Sequence, residues 1–197
     1  MIAPIGPADI GAAVGAVTRS HLDDPGMCAF FPREEQRYAG IESLFGMTFR
    51  DAVGFGHVYA ATVDGAIVGA AAWLPPGTFP LSLPRMLASL PAQLRLTVRA
   101  PRSLRIVSRF ARITTRRADP GPYWFLGVLG VEPAFQGRGL GPALVHPVLD
   151  TVSEACLLHT SKRANLAFYG RLGFDVVDTW LVGPAGPRFW TMRRGGW

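Results

Sequence analysis

Residues Gln136-Gly137-Arg138-Gly139-Leu140-Gly141 place three glycines at alternate positions. An apolar, strand-like run (123–131) precedes them, and a helix-patterned run (142–150) follows. Closely spaced glycines let a backbone approach a ligand and adopt conformations closed to residues with a Cβ. A helix opening on such a loop offers amides without internal partners at its positive dipole end. That arrangement suits a pyrophosphate or another anion. The spacing excludes two common phosphate loops. No Gly-x-x-x-x-Gly-Lys-Ser/Thr run exists. The order Gly-x-Gly-x-Gly also departs from the dinucleotide pattern and comes late in the chain, with no long parallel-strand series after it. Alone, the loop leaves an unspecific structural turn open.

A second motif, Asn165-Leu-Ala-Phe-Tyr-Gly-Arg-Leu-Gly-Phe174, lies downstream. Together the two resemble the GNAT family of acyl-CoA-dependent N-acyltransferases. Gln136, Gly139 and Gly141 match that family's glycine signature, and Asn165 to Phe174 match its following helix. Trp124-Phe125-Leu126, Gln136-Gly137 and Arg171-Leu172-Gly173-Phe174 are most similar to puromycin N-acetyltransferase-like members. The resemblance implies an α/β (α+β) fold. Its central sheet is mixed, mostly antiparallel, flanked by helices and splayed between strands 4 and 5. It implies acetyl-CoA (coenzyme A) as the acyl donor and direct transfer to a primary amine of a small molecule.

The resemblance also assigns roles. Amides of Gly137, Arg138, Gly139, Leu140 and Gly141, with Gln136 at the mouth, hold the pyrophosphate. Arg138 either reaches the phosphates or points to water. Pro142 stands where relatives often carry Ser or Thr and lacks an N–H. Backbone groups of Leu129, Gly130 and Val131 pair with the pantetheine and polarise the thioester. Tyr169, four residues after Asn165 on one helix face, is the general-acid candidate. Its phenol has an ordinary pKa of about 10. Asn165 either binds the pantetheine arm or caps its helix. His159 replaces a Glu of puromycin-acetylating relatives and is the general-base candidate. A buried structural role for it stays open. Glu132 and His57 are the fallback bases.

These residues need elements to hold them. The pattern reads as a short strand, a helix over 9–20, a break at Asp24-Pro25-Gly26, and a helix over 33–53. A hairpin follows, turning at Asp64-Gly65. After residue 123 come strand, glycine loop, helix, strand, helix and two strands. At 197 residues the chain fits one domain, 1–197. An insert over 78–122 carries nine Arg between residues 85 and 117, with no acidic residue. Arg102, Arg105, Arg109, Arg112 and Arg116 share a helix face, with Leu104, Val107 and Ala111 on another. Leu83, Leu87, Leu90, Leu94 and Val98 form an apolar stripe before it, kinked at Pro91. This insert is either a solvated cover, a lid over the acceptor site or a contact surface for an acidic partner or membrane.

Bulk properties narrow the class. The formal net charge is +6, and nineteen of the twenty basic residues are Arg. Positive charge favours anionic ligands, but no nucleic-acid motif accompanies it, so nucleic acid is not the expected partner. No run of 18 uncharged apolar residues and no secretory leader pattern is present, which points to a soluble cytoplasmic protein. Cys28, Cys156 and the four histidines show no metal-ligand spacing, so no metal is expected. No cysteine has a nucleophile's setting, which argues against an acyl-enzyme. The resemblance also allows a homodimer. Alternatives are a non-catalytic CoA-binding module on the same fold, a protein or peptide amine as acceptor, and nucleic-acid or membrane association through the arginine face.

Overall fold

The computed structural model describes residues 1–80, 85, 94, 103–118 and 121–195. Strands β1 (Ile2–Pro4), β2 (Val58–Val63) and β3 (Ala66–Leu74) form an antiparallel meander. Asp64 and Gly65 link β2 to β3 with φ of 49° and 78°, as a tight hairpin turn with matching twist requires. β4 (Tyr123–Val131) adds antiparallel to β3, and β5 (Ala155–Thr160) adds parallel to β4. β7 (Arg188–Arg194) then inserts between β5 and β6 (Asp175–Leu181). The seven-stranded order is β1-β2-β3-β4-β5-β7-β6. The parallel pair needs a crossover, supplied by the helix Leu140–Leu149. This is the mixed, mostly antiparallel sheet that the resemblance implied.

The register opens the sheet. β4 and β5 pair from Tyr123↔Ala155 to Leu126↔Leu158 and part beyond that point. β4 breaks register against β3 at the same level. Ala72 pairs with Val128 and Trp73 with Leu126, so Gly127 is the extra residue of a bulge. A bulge bends its strand and raises the local twist, which carries the end of β4 away from β5.

Four helices cover one face: α1 (Ile10–Ser20), α2 (Pro25–Phe30), α3 (Glu34–Val53) and α4 (Leu104–Arg116). Their core joins Val14, Val17, Phe30, Ile41 and Phe49 to Phe125 and Leu157 of the sheet. On the other face, α5 (Leu140–Leu149) and α6 (Ala164–Gly170) meet Leu126, Cys156 and Leu158. Alternation along β5 therefore sends His159 to the first face and Thr160 to the second.

Two sequence expectations are corrected here. Asp24-Pro25-Gly26 follows the end of α1, as expected of a break, and is also the start of a second helix. The Asp24 carboxylate accepts from the Gly26 and Met27 amides, and Pro25 takes the first helical position. In α4 the face packed on the core comprises the half-buried Ile106, Val107, Phe110 and Ile113, and Ala111 is exposed. Arg105, Arg109, Arg112 and Arg116 are exposed as expected. Arg102 and the stripe from Leu83 to Val98 lie outside the described residues, save Leu94, which is exposed. Among the described residues no helix is long and apolar enough to cross a membrane, and no cluster of His, Cys, Asp and Glu could hold a metal ion.

Candidate active site

The glycine loop follows β4 after one 3-10 turn, Pro133–Phe135. Gly137 and Gly139 have φ of 76° and 77°, a region that costs other residues about 1–2 kcal/mol. A Cβ on either would meet no atom within 4 Å, so open space fronts the loop. Gly139 is the N-cap of α5, whose first-turn amides lack intrahelical partners. Pro142 falls in that first turn, where its missing N–H removes no helix bond. These features fit a pyrophosphate. Gly141 serves packing instead, since a Cβ there would lie 3.2 Å from the Phe168 ring.

Two loop side chains are already engaged. The Gln136 amide donates to the Val131 carbonyl at 2.9 Å, tying the loop to the end of β4. Arg138 donates to the Ala134 carbonyl at 3.3 Å, and its guanidinium sits 5.0 Å from the Phe135 ring centre. Leu129, Gly130 and Val131 pair with β3 on one side. Their other side faces the gap left where β4 and β5 part.

Tyr169 and Asn165 stand on the loop's face of the sheet. Asn165 donates to Thr160 Oγ1 at 3.0 Å, joining α6 to the end of β5. The Tyr169 ring is buried between Phe168 and Phe174, at 4.9 and 5.9 Å. Burial, with the charge of Asp24, raises its pKa above the ordinary 10. The phenol therefore keeps its proton at neutral pH. Asp24 belongs to the opposite face, so its field reaches Tyr169 through the opened sheet.

His159 stands on that opposite face. Thr191 Oγ1 accepts from the Trp180 indole N–H at 3.1 Å and lies 3.1 Å from His159 Nδ1. A hydroxyl has two acceptor lone pairs beside its one proton, so this contact is compatible with either tautomer of the ring. Phe125, Trp180 and Phe110 surround the ring at centroid distances of 5.3, 5.6 and 6.5 Å. Burial pushes its pKa from the ordinary 6.5 down to about 4. Of the fallback bases, Glu132 is held by Arg19, with Nε to Oε1 at 3.0 Å. His57 packs on Trp124 at 4.6 Å and its carbonyl bonds the Trp73 amide, so β3 lies between it and the gap.

Sequence reasoning missed a buried pair beside the gap. Asp24 Oδ1 accepts from Ser161 Oγ at 2.6 Å, besides the Gly26 and Met27 amides at 2.9 and 3.1 Å. This pins the turn between α1 and α2 to the end of β5. The N-cap half of the arrangement was readable from Asp-Pro, but the link to Ser161 was not. His21, the last residue of α1's cap, was missed as well. A Cβ on Gly130 would lie 3.2 Å from its Cε1.

Comparison with known proteins agrees with this architecture. Histone acetyltransferase HPA2 and related acetyltransferase from Corynebacterium glutamicum superposes with a TM-score of 0.70 at 20% identity, covering 100% of this chain and 96% of that one. A Drosophila melanogaster polyamine N-acetyltransferase, which forms N-acetylagmatine, gives 0.67 at 16% identity, covering 100% and 99%. Arylalkylamine N-acetyltransferase 2 from Aedes aegypti gives 0.60 at 14%, covering 99% and 98%. At such identities these likenesses establish the fold. The acetyltransferase (GNAT) family model matches residues 21–174, most of the chain. The chain is accordingly an acyltransferase and belongs to the acetyltransferase (GNAT) family.

Proposed function

We propose that the protein transfers acetyl from acetyl-CoA directly to a primary amine of a small molecule. The observation that carries this reading is the parted β4–β5 pair, with the open glycine loop and buried Tyr169 on one face and His159 on the other. When bound, acetyl-CoA supplies the acetyl group as an activated thioester. The loop 137–141 holds its phosphates, and the edge of Leu129 to Val131 that β5 leaves open receives the pantetheine and orients the carbonyl. Tyr169 is the proton source on that face. His159 orients the acceptor on the other. Within the single domain, α4 of the insert acts as a lid on the acceptor face.

Small acceptors are favoured by the crowding of the acceptor face. Phe110 of α4 lies 4.9 Å from Phe189 and 5.6 Å from Trp180, which narrows the approach for a folded protein surface. Polyamine- and arylalkylamine-acetylating proteins share the fold, and both classes belong in the first screen. The puromycin-like pieces of the C-terminal half add aminonucleosides to it. His159 in place of a carboxylate weakens the attraction for such a cationic acceptor. The two free thiols fit a reducing cytoplasm. The test is thiol release from acetyl-CoA with a panel of polyamines, arylalkylamines, aminonucleosides and N-terminal peptides. Turnover confined to small amines is expected. Saturable CoA binding without turnover of any amine would replace the reading with a non-catalytic binding module.

A further inference from the structure

His21 has a geometry that the roles above leave unused. Its Nδ1 lies 2.8 Å from the Val17 carbonyl and 2.9 Å from Ser20 Oγ. A carbonyl only accepts, so Nδ1 carries the ring proton. The Ser20 hydroxyl donates to the same carbonyl, at 2.8 Å, and has no second proton to give the ring. Nε2 is left with its lone pair and no hydrogen-bond partner among the described residues. Phe45 holds the ring edge-on at 4.8 Å. Contact with Gly130 is through Cε1, the carbon bonded to Nε2. Gly130 belongs to the stretch of β4 beyond its parting from β5, so the ring stands beside the gap on the acceptor face.

We propose that His21, through Nε2, is the base that takes a proton from the acceptor's ammonium group. The inference rests on the N-acetyltransferase reading above. A primary ammonium brings three N–H protons. One passes to Nε2 and then to solvent, freeing the nitrogen lone pair. The C–N bond forms as the C–S bond breaks. The second proton replaces the one that Tyr169 gives to the departing sulfur, and the third stays on the amide. The charged groups facing His21 are Asp23 and Asp24 in the next turn and Lys162 after β5. Arg37 of α3 approaches from the side, donating to the Leu22 carbonyl at 3.3 Å. Burial lowers the His21 pKa, opposed by its bond to Val17 and by Asp24. The ring is thus unprotonated at neutral pH, the form a base requires.

Two measurements test this together. Long-range nitrogen-15 spectra of the histidine rings, with and without coenzyme A, report tautomer and titration directly. His21 should carry its proton on Nδ1 and titrate below 6.5. The pH dependence of kcat/KM follows, with agmatine, spermidine and phenethylamine as probe acceptors. Wild type should lose activity at low pH through one limb below the ordinary histidine value. His21→Asn, which keeps a donor toward Val17, should lower kcat roughly 10²–10⁴-fold, leave acetyl-CoA affinity within about twofold, and abolish that limb. A proton on Nε2 of His21, or an acid limb retained in His21→Asn, overturns the proposal. If that variant does not fold, the wild-type spectra decide. A wild type that binds acetyl-CoA but acetylates no probe overturns the function reading, and this one with it.

Discussion

Tyr169 is held where one oxygen atom decides its usefulness. Its ring is sealed among apolar neighbours, and its raised pKa keeps the proton in place. Removing the hydroxyl in Tyr169→Phe should lower kcat roughly 10²–10³-fold, while calorimetry shows acetyl-CoA affinity changed by no more than about twofold. A kcat within threefold of wild type would remove Tyr169 from the chemistry. Gly139 tests the loop in a separable way. Its φ of 77° makes Gly139→Ala strained by about 1–2 kcal/mol, with open space and no clash around the new methyl. Acetyl-CoA should bind about tenfold more weakly while kcat at saturation holds. Unchanged affinity would show that the loop does not cradle the phosphates. Tyr169 and Gly139 were legible because they sit in motifs whose spacing a helix or a turn enforces locally. His21 and Asp24 were not. Asp24 meets a partner 137 residues away, and His21 meets Gly130 through α1 packing across β4. No local pattern encodes such neighbours.

At the scale of elements, α2 shows how one side chain does two jobs. Asp24 caps the helix through Gly26 and Met27 and anchors it to β5 through Ser161. Asp24→Ala removes the cap and strands the Ser161 hydroxyl, costing about 2 kcal/mol in all. For a chain of this size Tm should fall by roughly 4–8 °C. Asp24→Asn, another good N-cap residue, should recover most of that loss. Equal Tm values for Asp24→Ala and wild type would refute the anchoring role. Reading Asp-Pro-Gly as a break was right for α1 but missed the start of α2, because residues that separate one helix from the chain after it can also open the next. For α4 the period of the arginines was right. The identity of its buried face was not, because Phe110 is fixed by Phe30, Phe189 and Trp180 at 5.3, 4.9 and 5.6 Å. These partners come from α2, β7 and β6, elements that the sequence leaves far apart.

For the molecule as a whole, opening the sheet between β4 and β5 lets groups on both faces act on one gap. It also buries histidines that solvent would otherwise protonate. His159 titrates at about 4, and the pKa values of His21 and His57 are lowered too, chiefly by burial in each case. The sign of the consequence follows from proton counting. Between the folded and unfolded pKa values the unfolded chain binds more protons than the folded one, so stability falls as pH falls. For His159 the loss begins near 6.5 and is complete near 4, amounting to about 3 kcal/mol. Above pH 7 this contribution is constant. Urea unfolding at intervals from pH 7.5 to 4.5 should therefore show a steady decline that begins above the range where carboxylates titrate. His159→Gln, which keeps a polar side chain toward Thr191 but cannot gain a proton, should be visibly flatter between pH 6.5 and 5. An identical decline in the variant would mean that His159 is protonated within the fold. The bond network from Trp180 through Thr191 would then hold a charged ring, with its Nδ1 donating to the Thr191 oxygen.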